Sequence, residues 1–207
     1  MFITFEGVDL CGKTTQAEIL VKRLKNSGFD VVFLREPGGT KISELIRNIL
    51  LDSQNKEMAP ITELFLFSAS RAQLVREVII PSINSGKIVV CDRFYDSTLA
   101  YQGYGRGIEI EKIKIVNELA SGGLAPDLTF LIDIPVDEIY KRKKEKYGNF
   151  DRMESSGIEF YERVRRGYLE IAKASDRFFI IDGKKKIDEI SDQIWAIVSE
   201  KLKIKVK

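Results

Sequence analysis

The chain of 207 residues contains no histidine, only two cysteines and five prolines, and its formal net charge is +2. Without histidine, the commonest general base and the commonest metal ligand are missing, which excludes hydrolases built on a Ser/His or Cys/His pair. Two cysteines, Cys11 and Cys91, do not resemble a disulfide framework or a zinc site, and this favours a reducing compartment. The small net charge indicates no strong electric field for a nucleic acid or a membrane surface.

Long apolar runs are missing as well. No segment approaches the roughly 18 consecutive apolar residues of a membrane-spanning helix. Glu6 interrupts the first apolar run, so the sequence predicts no secretory signal peptide. We therefore expect a cytoplasmic protein without membrane or nucleic-acid partners. A hydrophobic content of 44% and a charged content of 31% are typical of a globular protein, and the length fits one domain, residues 1–207.

What is present is a regular alternation of two patterns. Short continuous runs of β-branched and aromatic residues predict strands at 2–5, 31–34, 88–91, 128–132 and 178–181. Helical patterns lie between them, at about 13–26, 41–51, 60–84, 109–120, 136–146, 157–174 and 187–202. The predicted fold class is α/β: a doubly wound, five-stranded parallel sheet flanked by helices, with ligands beyond the carboxyl ends of the strands.

The segment between the first strand and the first helix has the pattern G-x-x-x-x-G-K-T. It reads Gly7, Val8, Asp9, Leu10, Cys11, Gly12, Lys13 and Thr14. The backbone N–H groups of such a loop surround phosphate oxygens, the lysine reaches the β- and γ-phosphates, and the threonine hydroxyl binds Mg²⁺. We predict that Gly7–Thr14 binds a nucleoside triphosphate. Phosphoryl transfer needs no histidine because it relies on positioning and electrostatics.

Three predicted strands are followed by an aspartate: Asp92, Asp133 and Asp182. A carboxylate at a strand end beside a P-loop can hold the coordination shell of Mg²⁺, and we assign this role to Asp92. The alternative, a solvated acid at a strand end, is the interpretation that we prefer for Asp133. Arg93 follows Asp92 directly and is expected to grip a phosphate in the same crevice.

Several segments together resemble the thymidylate kinase family of P-loop nucleoside monophosphate kinases. The matching segments are Phe5-Glu6-Gly7, Lys13-Thr14-Thr15-Gln16, Arg35-Glu36-Pro37-Gly38-Gly39-Thr40, Leu66-Phe67-Ser68-Ala69-Ser70-Arg71, Asp92-Arg93-Phe94, Ala100 to Arg106, Pro126-Asp127-Leu128-Thr129 and Asp151-Arg152-Met153-Glu154. The P-loop alone is shared by many unrelated NTPases, so the whole set carries the specificity. The resemblance implies transfer of the γ-phosphoryl group from ATP to dTMP with Mg²⁺, which gives dTDP for dTTP synthesis. It also implies a homodimer with the helix at about 60–84 in its interface.

The same resemblance implies individual roles in substrate binding. Arg93 bridges the donor and acceptor phosphates, Arg47 holds the phosphate of dTMP, and Asp9 binds the sugar 3′-hydroxyl. Phe67 and Arg71 lie four residues apart on one helical face, where the phenylalanine stacks on thymine and the arginine donates to O4. The remaining predicted contacts are Glu36 and Pro37, Thr98 and Gln102 around the N3 edge of the base, and Tyr101 near the sugar 2′ position. Taken alone, Phe67 would fit a core position and Arg47 an exposed helix position.

The basic run from Lys141 resembles the family's mobile lid, at about 141–156, over ATP. Leu10 departs from the family pattern, which has Gly or a catalytic Arg at this position, and Cys11 replaces Ala or Ser. Because leucine cannot stabilise charge on the transferring group, we expect the cation to come from Arg142, with Arg152 second and Lys143 nearly neutral. We also expect an ordinary negative φ at Leu10. The predicted catalytic residues are Lys13, Arg93, Arg142, Arg152 and Asp9.

Three alternatives remain open. The first is a kinase for another nucleoside monophosphate, or for a broader set of them. The second is a GTP-binding switch, but such proteins normally carry an Asn-Lys-x-Asp motif, and the nearest string, Asn55-Lys56-Glu57-Met58, lacks the aspartate. The third is a kinase for a small molecule other than a nucleotide, which would share the P-loop and not the base-reading set.

Overall fold

The computed structural model describes residues 1–145, 152–153 and 157–204. Its five strands form one parallel sheet in the order β2-β3-β1-β4-β5. The strands are β1 (Phe2–Glu6), β2 (Val31–Arg35), β3 (Ile88–Asp92), β4 (Leu128–Asp133) and β5 (Phe178–Asp182). The predicted fold class is confirmed, and all five strands lie where the apolar runs predicted them.

Only strands in the middle of the sheet are buried along their whole length. Every residue of β1 and β3 is buried, whereas β2 and β5 each contain one buried residue, Val31 and Ile181, and are otherwise partly or fully exposed. The difference follows from the strand order, because β2 and β5 are the edge strands. The continuous apolar pattern therefore predicted the strands correctly and overestimated the burial of these two.

Nine α-helices occur among the described residues, and they pack around the sheet. They are α1 (Lys13–Asn26), α2 (Lys41–Leu51), α3 (Pro60–Leu74), α4 (Ile80–Asn84), α5 (Tyr95–Thr98), α6 (Ile110–Ser121), α7 (Val136–Glu145), α8 (Ile158–Lys173) and α9 (Ile187–Lys201). The start of α2 shows why the sequence folds in this way locally: the Thr40 side chain accepts a hydrogen bond from the Ser43 backbone N–H, which caps the helix.

Two π-helical segments interrupt the regular helices. The first, Val75–Ile79, joins α3 to α4, so the predicted helix at 60–84 is continuous with a π turn inside it. The second, Leu99–Gly105, follows α5, and the sequence patterns did not predict it. It packs against α8, where Arg163 donates two hydrogen bonds to the carbonyl oxygen of Gly105. π-Helical turns are often found at functional sites, and the second segment contributes Tyr101 and Gln102 to a cavity described below.

The core consists of two clusters, one on each face of the sheet. Ile3 and Phe5 of β1 belong to the larger cluster, with residues of α1, α8 and α9, whereas Phe2 belongs to the smaller cluster, with the end of α3 and the first π segment. Alternate residues of a strand point to opposite faces, so a single strand contributes to both clusters. Within the part of the chain that the structure describes, no helix is long and apolar enough to cross a membrane.

Candidate active site

The P-loop connects the carboxyl end of β1 to the start of α1, in the centre of the sheet. Gly7 and Gly12 have positive φ angles of 139° and 96°. A Cβ atom at Gly7 would lie 2.5 Å from the carbonyl oxygen of Ile132, so only glycine allows the loop to approach β4 this closely. Lys13 is buried, and its Nζ donates to the carbonyl oxygen of Val8 at 3.4 Å. The strand, loop and helix therefore follow one another in the order that the G-x-x-x-x-G-K-T pattern predicted, with Lys13 as the first residue of α1.

The expected conformation of Leu10 is wrong. Its φ is 63°, in the left-handed region, which costs a non-glycine residue roughly 1–2 kcal/mol. Arg93 has a φ of 72° and carries the same kind of strain. Two strained residues therefore lie at the same cleft, a place where proteins often hold such conformations.

The residues predicted to hold Mg²⁺ lie together. The hydroxyl of Thr14 donates to Oδ2 of Asp92, and Oδ1 of Asp92 is buried without a hydrogen-bond partner among the described residues. A free carboxylate oxygen next to a hydroxyl group suits Mg²⁺, which prefers oxygen ligands. The described residues contain no cluster of three or more acidic, cysteine or histidine side chains, so an ion here would also need phosphate or water oxygens. The donor set fits an ion that arrives with its nucleotide.

Arg93 and Asp9 form the charged centre of the cleft. Nη2 of Arg93 lies 2.6 Å from Oδ1 of Asp9, and its Nη1 donates to the carbonyl oxygen of Gly7 at 2.9 Å. Burial alone would raise the pKa of Asp9, but the charges of Arg93 and Lys13 hold this pKa below its ordinary value. Asp9 is therefore ionised. By contrast, burial raises the pKa of Cys11, so this thiol stays protonated and cannot act as a thiolate nucleophile.

Two tyrosines from α8 complete this centre, and sequence reasoning missed both. The hydroxyl of Tyr161 donates to Oδ2 of Asp9 at 3.0 Å, and Nη1 of Arg93 donates to the hydroxyl of Tyr168 at 3.1 Å. Glu6 holds Tyr168 and Ser97 in place, because its carboxyl group accepts a hydrogen bond from the hydroxyl of each. No motif marks these tyrosines; only the packing of α8 onto the sheet brings them to the cleft.

A cavity of about 610 Å³ lies on the α2–α3 side of Arg93, and we call it the acceptor cavity. Every residue that was predicted to bind the monophosphate lines it: Asp9, Glu36, Pro37, Arg47, Phe67, Arg71, Arg93, Thr98, Tyr101 and Gln102. Four further residues that were not predicted contribute to the lining: Leu51, Phe94, Ser97 and Met153.

Arg71 is fixed at the inner wall of the acceptor cavity. It is 1% exposed, its Nε donates to Oε2 of Glu36 at 2.8 Å, and its Nη1 donates to Oδ1 of Asn117 at 3.1 Å. Burial raises the pKa of Glu36, and the ion pair with Arg71 opposes this shift. A guanidinium group held on two sides presents its donors in one fixed direction, which is what recognition of a carbonyl oxygen requires.

A second cavity, which we call the phosphate cleft, opens above the P-loop and measures about 1060 Å³. It is lined by Leu10, Gly12, Lys13, Thr14, Thr15, Arg35 and Asp92, together with four residues that also line the acceptor cavity: Asp9, Glu36, Arg47 and Arg93. The two cavities are therefore neighbours with a common wall. Groups bound on the two sides of this wall would lie next to each other.

The two predicted lid arginines lie on different sides of the site. Nη1 of Arg142 donates to the carbonyl oxygen of Leu10 at 3.0 Å, which places this arginine beside the P-loop. Arg152 instead contacts the acceptor side, where it donates to the carbonyl oxygen of Leu50 and to Glu63. Arg152 was predicted as the second lid arginine that could supply the cation, and these contacts place it on the acceptor side instead of beside the P-loop. Residues 146–151 and 154–156 of the predicted lid lie outside the described residues.

The surroundings of Lys143 also differ from those of a solvated lysine. Lys143 was expected to be a nearly neutral neighbour of Arg142, but it is 9% exposed and its Nζ lies 4.6 Å from the centre of the Tyr161 ring. Since Tyr161 binds Asp9, Lys143 supports the cleft. Lys141, whose side chain is 66% exposed, is a solvated lysine of this helix.

Comparisons with known proteins agree with this geometry. A family model described as thymidylate kinase matches residues 5–194. The thymidylate kinase of Caldanaerobacter subterraneus subsp. tengcongensis is 48% identical, over 98% of this chain and 96% of its own length. That of Kosmotoga olearia is also 48% identical, over 94% of this chain and 93% of its own. The crystal structure of thymidylate kinase from Ehrlichia chaffeensis superposes with a TM-score of 0.80 at 37% identity, over 96% of this chain and 98% of that one. The chain belongs to the thymidylate kinase family.

Proposed function

We propose that this protein is an ATP-dependent kinase that transfers the γ-phosphoryl group of ATP to dTMP, with Mg²⁺, and so produces dTDP for dTTP synthesis. The observation that carries the proposal is the common wall of the two cavities. Asp9, Glu36, Arg47 and Arg93 line both, so a donor in the phosphate cleft and an acceptor in the acceptor cavity meet at two arginines. This arrangement suits direct transfer between two bound phosphates.

The reaction needs no protein base. The second pKa of a phosphate monoester is near 6, so the acceptor is already mostly dianionic at neutral pH. What the protein must supply is fixed positive charge between two polyanions, and Lys13, Arg47 and Arg93 supply it at the cleft. When Mg²⁺ is bound with the nucleotide, it neutralises phosphate charge, and Thr14 and Asp92 would hold it.

Recognition of the base rests on the acceptor cavity. Arg71 has only donors, so it favours the O4 carbonyl of thymine and disfavours the amino group that cytosine carries at the same place. Phe67 supplies a face for stacking, and Tyr101 crowds the position where a ribose would carry its extra hydroxyl. These contacts favour a deoxyribonucleotide with a 4-carbonyl base.

One assay tests the assignment. ADP release is measured with ATP and Mg²⁺ against dTMP, dUMP, dCMP, CMP and AMP. We expect dTMP to give the highest kcat/KM and omission of Mg²⁺ to abolish turnover. If dTMP does not accelerate ADP release above the level with CMP or AMP, the proposed function is wrong. Equal rates with several deoxynucleotides would favour the broader monophosphate kinase.

We also propose a homodimer, on the basis of an exposed apolar face. The residues of this face are between 48% and 76% exposed and come from α2, α3 and α6: Ile42, Leu45, Ile49, Ile61, Phe65, Ile115 and Leu119. On α2 they recur at i, i+3 and i+7, and on α3 and α6 at i and i+4, so each helix presents one apolar stripe. The three helices are packed side by side, α2 on α3 and α3 on α6. An apolar face of this kind fits a subunit contact.

A further inference from the structure

Glu63, on α3, is the most fully satisfied buried acid next to the acceptor cavity. It is 1% exposed. Its Oε1 accepts from Nε2 of Gln102 at 2.8 Å and from Nε of Arg106 at 3.2 Å. Its Oε2 accepts from Nη2 of Arg106 at 3.1 Å and from Nη1 of Arg152 at 2.5 Å. Neither the motifs nor the family resemblance gave this residue a role.

Glu63 is ionised in this position. Burial alone would raise its pKa, but the hydrogen bonds from Arg106, Gln102 and Arg152 and the charge of Arg106 lower this pKa below its ordinary value. An ionised carboxylate can only accept hydrogen bonds. The amide group of Gln102 must therefore turn its NH₂ toward Glu63.

This constraint decides what Gln102 offers to a ligand. The amide group is planar, with Nε2 on one side and the carbonyl oxygen Oε1 on the other, and Gln102 lines the acceptor cavity. With Nε2 bound to Glu63, the group that Gln102 can direct to a base is Oε1, a hydrogen-bond acceptor. Thymine and uracil carry an N–H donor at N3, whereas cytosine carries an acceptor there.

We propose that Glu63 is a positioning residue that sets base specificity through Gln102. The inference rests on the proposed function and deepens it. Glu63 never touches the base; it fixes the orientation in which Gln102 accepts from N3–H and repels the N3 of cytosine. Together with Arg71, a donor aimed at O4, this gives a donor and an acceptor that match thymine and mismatch cytosine at two adjacent positions.

Through its contact with Arg152, Glu63 also positions a second part of the chain at the acceptor cavity. Arg152 and Met153 are described residues of the predicted lid, and Met153 lines the acceptor cavity. The backbone N–H of Arg152 donates to the carbonyl oxygen of Leu51 at 3.3 Å, and its side chain reaches Glu63. One buried charge thus contacts both the base-reading amide and Arg152, whose neighbour Met153 lines the same cavity.

The test is the variant Glu63→Gln. The Oε2 position receives two arginine donors and the Oε1 position only one, so we expect the oxygen of the new amide at the Oε2 position and its NH₂ group toward Gln102, whose amide then turns its own NH₂ into the cavity. We expect the preference for dTMP over dCMP, measured as the ratio of kcat/KM values, to fall about ten-fold. Calorimetric Kd values for the two monophosphates without ATP should change in the same ratio. The control is Glu111→Gln, an exposed glutamate on α6, which should leave both ratios unchanged.

A double variant separates positioning from general damage. In a Gln102→Ala background, Glu63→Gln should not change the dTMP/dCMP ratio further. The inference would be overturned if Glu63→Gln alone left the dTMP/dCMP ratio unchanged. It would also be overturned if Glu63→Gln lowered the ratio as much in the Gln102→Ala background as it does alone. A wild-type enzyme inactive on dTMP would instead overturn the proposed function. The calorimetric ratio does not depend on turnover, so it tests Glu63 in either case.

The wild-type protein provides a measurement if Glu63→Gln does not fold. In ¹⁵N NMR spectra the side-chain NH₂ of Gln102, assigned with Gln102→Ala, should exchange with solvent at least ten-fold more slowly than that of the exposed Gln54. Binding of dTMP should not change this protection, because the bond to Glu63 is already present. Exchange as fast as that of Gln54 would contradict the proposed orientation.

Discussion

At the scale of single residues, the main question is which side chain supplies positive charge to the transferring group when the P-loop offers Leu10. Arg142 contacts the backbone of Leu10 itself, which places its guanidinium group beside the loop. Its guanidinium also binds the carbonyl oxygen of Gly183 and the side chain of Glu138. Arg152 lies on the acceptor side, so Arg142 is the better candidate for the cation that stabilises the transferring group.

We predict that Arg142→Ala lowers kcat strongly and changes the KM for dTMP little. An arginine that stabilises the transition state of phosphoryl transfer contributes about 10³- to 10⁵-fold in kcat. Steady-state kinetics with dTMP and ATP measures the effect. Lys141→Ala, an exposed neighbour on the same helix, is the matched control and should be nearly neutral.

The variant Leu10→Arg also tests whether Arg142 supplies the cation that the P-loop lacks. Introduced into Arg142→Ala, it should restore part of the lost kcat, because an arginine at this position is the family's other source of the cation. If Arg142→Ala and Lys141→Ala have equally small effects, the lid arginine is a surface residue and Lys13 and Arg93 carry the charge alone.

At the scale of elements, the contact between α8 and the second π segment holds the site together. A Cβ atom at Gly167 would lie 2.6 Å from Cγ of Tyr104, so α8 approaches this segment through a glycine. Tyr161 and Tyr168 lie on the same helix and bind Asp9 and Arg93. The close approach of α8 therefore sets the positions of both tyrosines.

We predict that Gly167→Ala destabilises the protein by about 1–3 kcal/mol, because the added methyl group overpacks this contact. Urea unfolding measures the loss, and kcat should fall as the tyrosines move. Gly157→Ala, at the start of the same helix, is the control: its added methyl group meets nothing within 4 Å, so only a weaker helix cap is expected. Equal stability losses would show that the contact with Tyr104 is not tight.

The elements also show what a sequence can predict. The helices Lys13–Asn26 and Lys41–Leu51 were predicted to the residue, because their apolar spacing and their boundaries are local signals. The segment Leu99–Gly105 was missed, because Gly103 and Gly105 read as helix breakers. Contacts with α6 and α8 stabilise it, since Gly103 faces Ile110 and Gly105 faces Phe160. Such contacts between distant parts of the chain leave no local pattern.

For the candidate site, too, the sequence could predict some residues and not others. Residues that belong to motifs, such as Lys13, Asp92 and Arg93, could be predicted because the phosphate chemistry fixes their spacing. Glu63, Tyr161 and Tyr168 could not, because they act through other side chains and come from helices far away in sequence. Leu10 was placed correctly in the loop with the wrong φ, because the sequence pattern of the loop does not specify the backbone conformation of its variable positions.

At the scale of the whole molecule, the exposed apolar face predicts the oligomeric state. We expect light scattering to report a dimer at micromolar concentration. The variant Phe65→Glu should shift it to a monomer, because a charge in an apolar contact loses its hydration without gaining a partner. Glu57→Lys, on an exposed residue outside the face, is the control and should remain dimeric. A wild-type monomer at this concentration would contradict the proposal.

Stability should depend on pH through Glu6. Burial and the neighbouring charge of Asp96 raise the pKa of Glu6 from 4.5 to about 7, against the hydrogen bond from Ser97 and the charge of Arg93. Because the folded pKa lies above the unfolded one, the contribution of Glu6 to stability is present below pH 4.5 and is lost as the pH rises through about 7. The chain has no histidine, so the other common group that titrates in this window is missing.

We predict that Glu6→Gln, which cannot ionise, gains stability relative to the wild type by about 3 kcal/mol between pH 4.5 and pH 8. Urea unfolding of both proteins at several pH values measures the difference. Asp30→Asn, on a side chain that is 70% exposed, is the control and should follow the wild-type curve in this range. Parallel curves for Glu6→Gln and the wild type would show that Glu6 titrates normally.

The left-handed backbone at Leu10 and Arg93 has a consequence for how this enzyme can evolve. Each residue carries roughly 1–2 kcal/mol of conformational strain, which is a noticeable part of the 5–15 kcal/mol that stabilises an ordinary domain. Relief of this strain would be the easiest gain in heat resistance, yet both residues shape the phosphate cleft. A lineage that adapts to higher temperature should therefore keep these two backbone conformations and accumulate its stabilising substitutions on the helices that face away from the cleft.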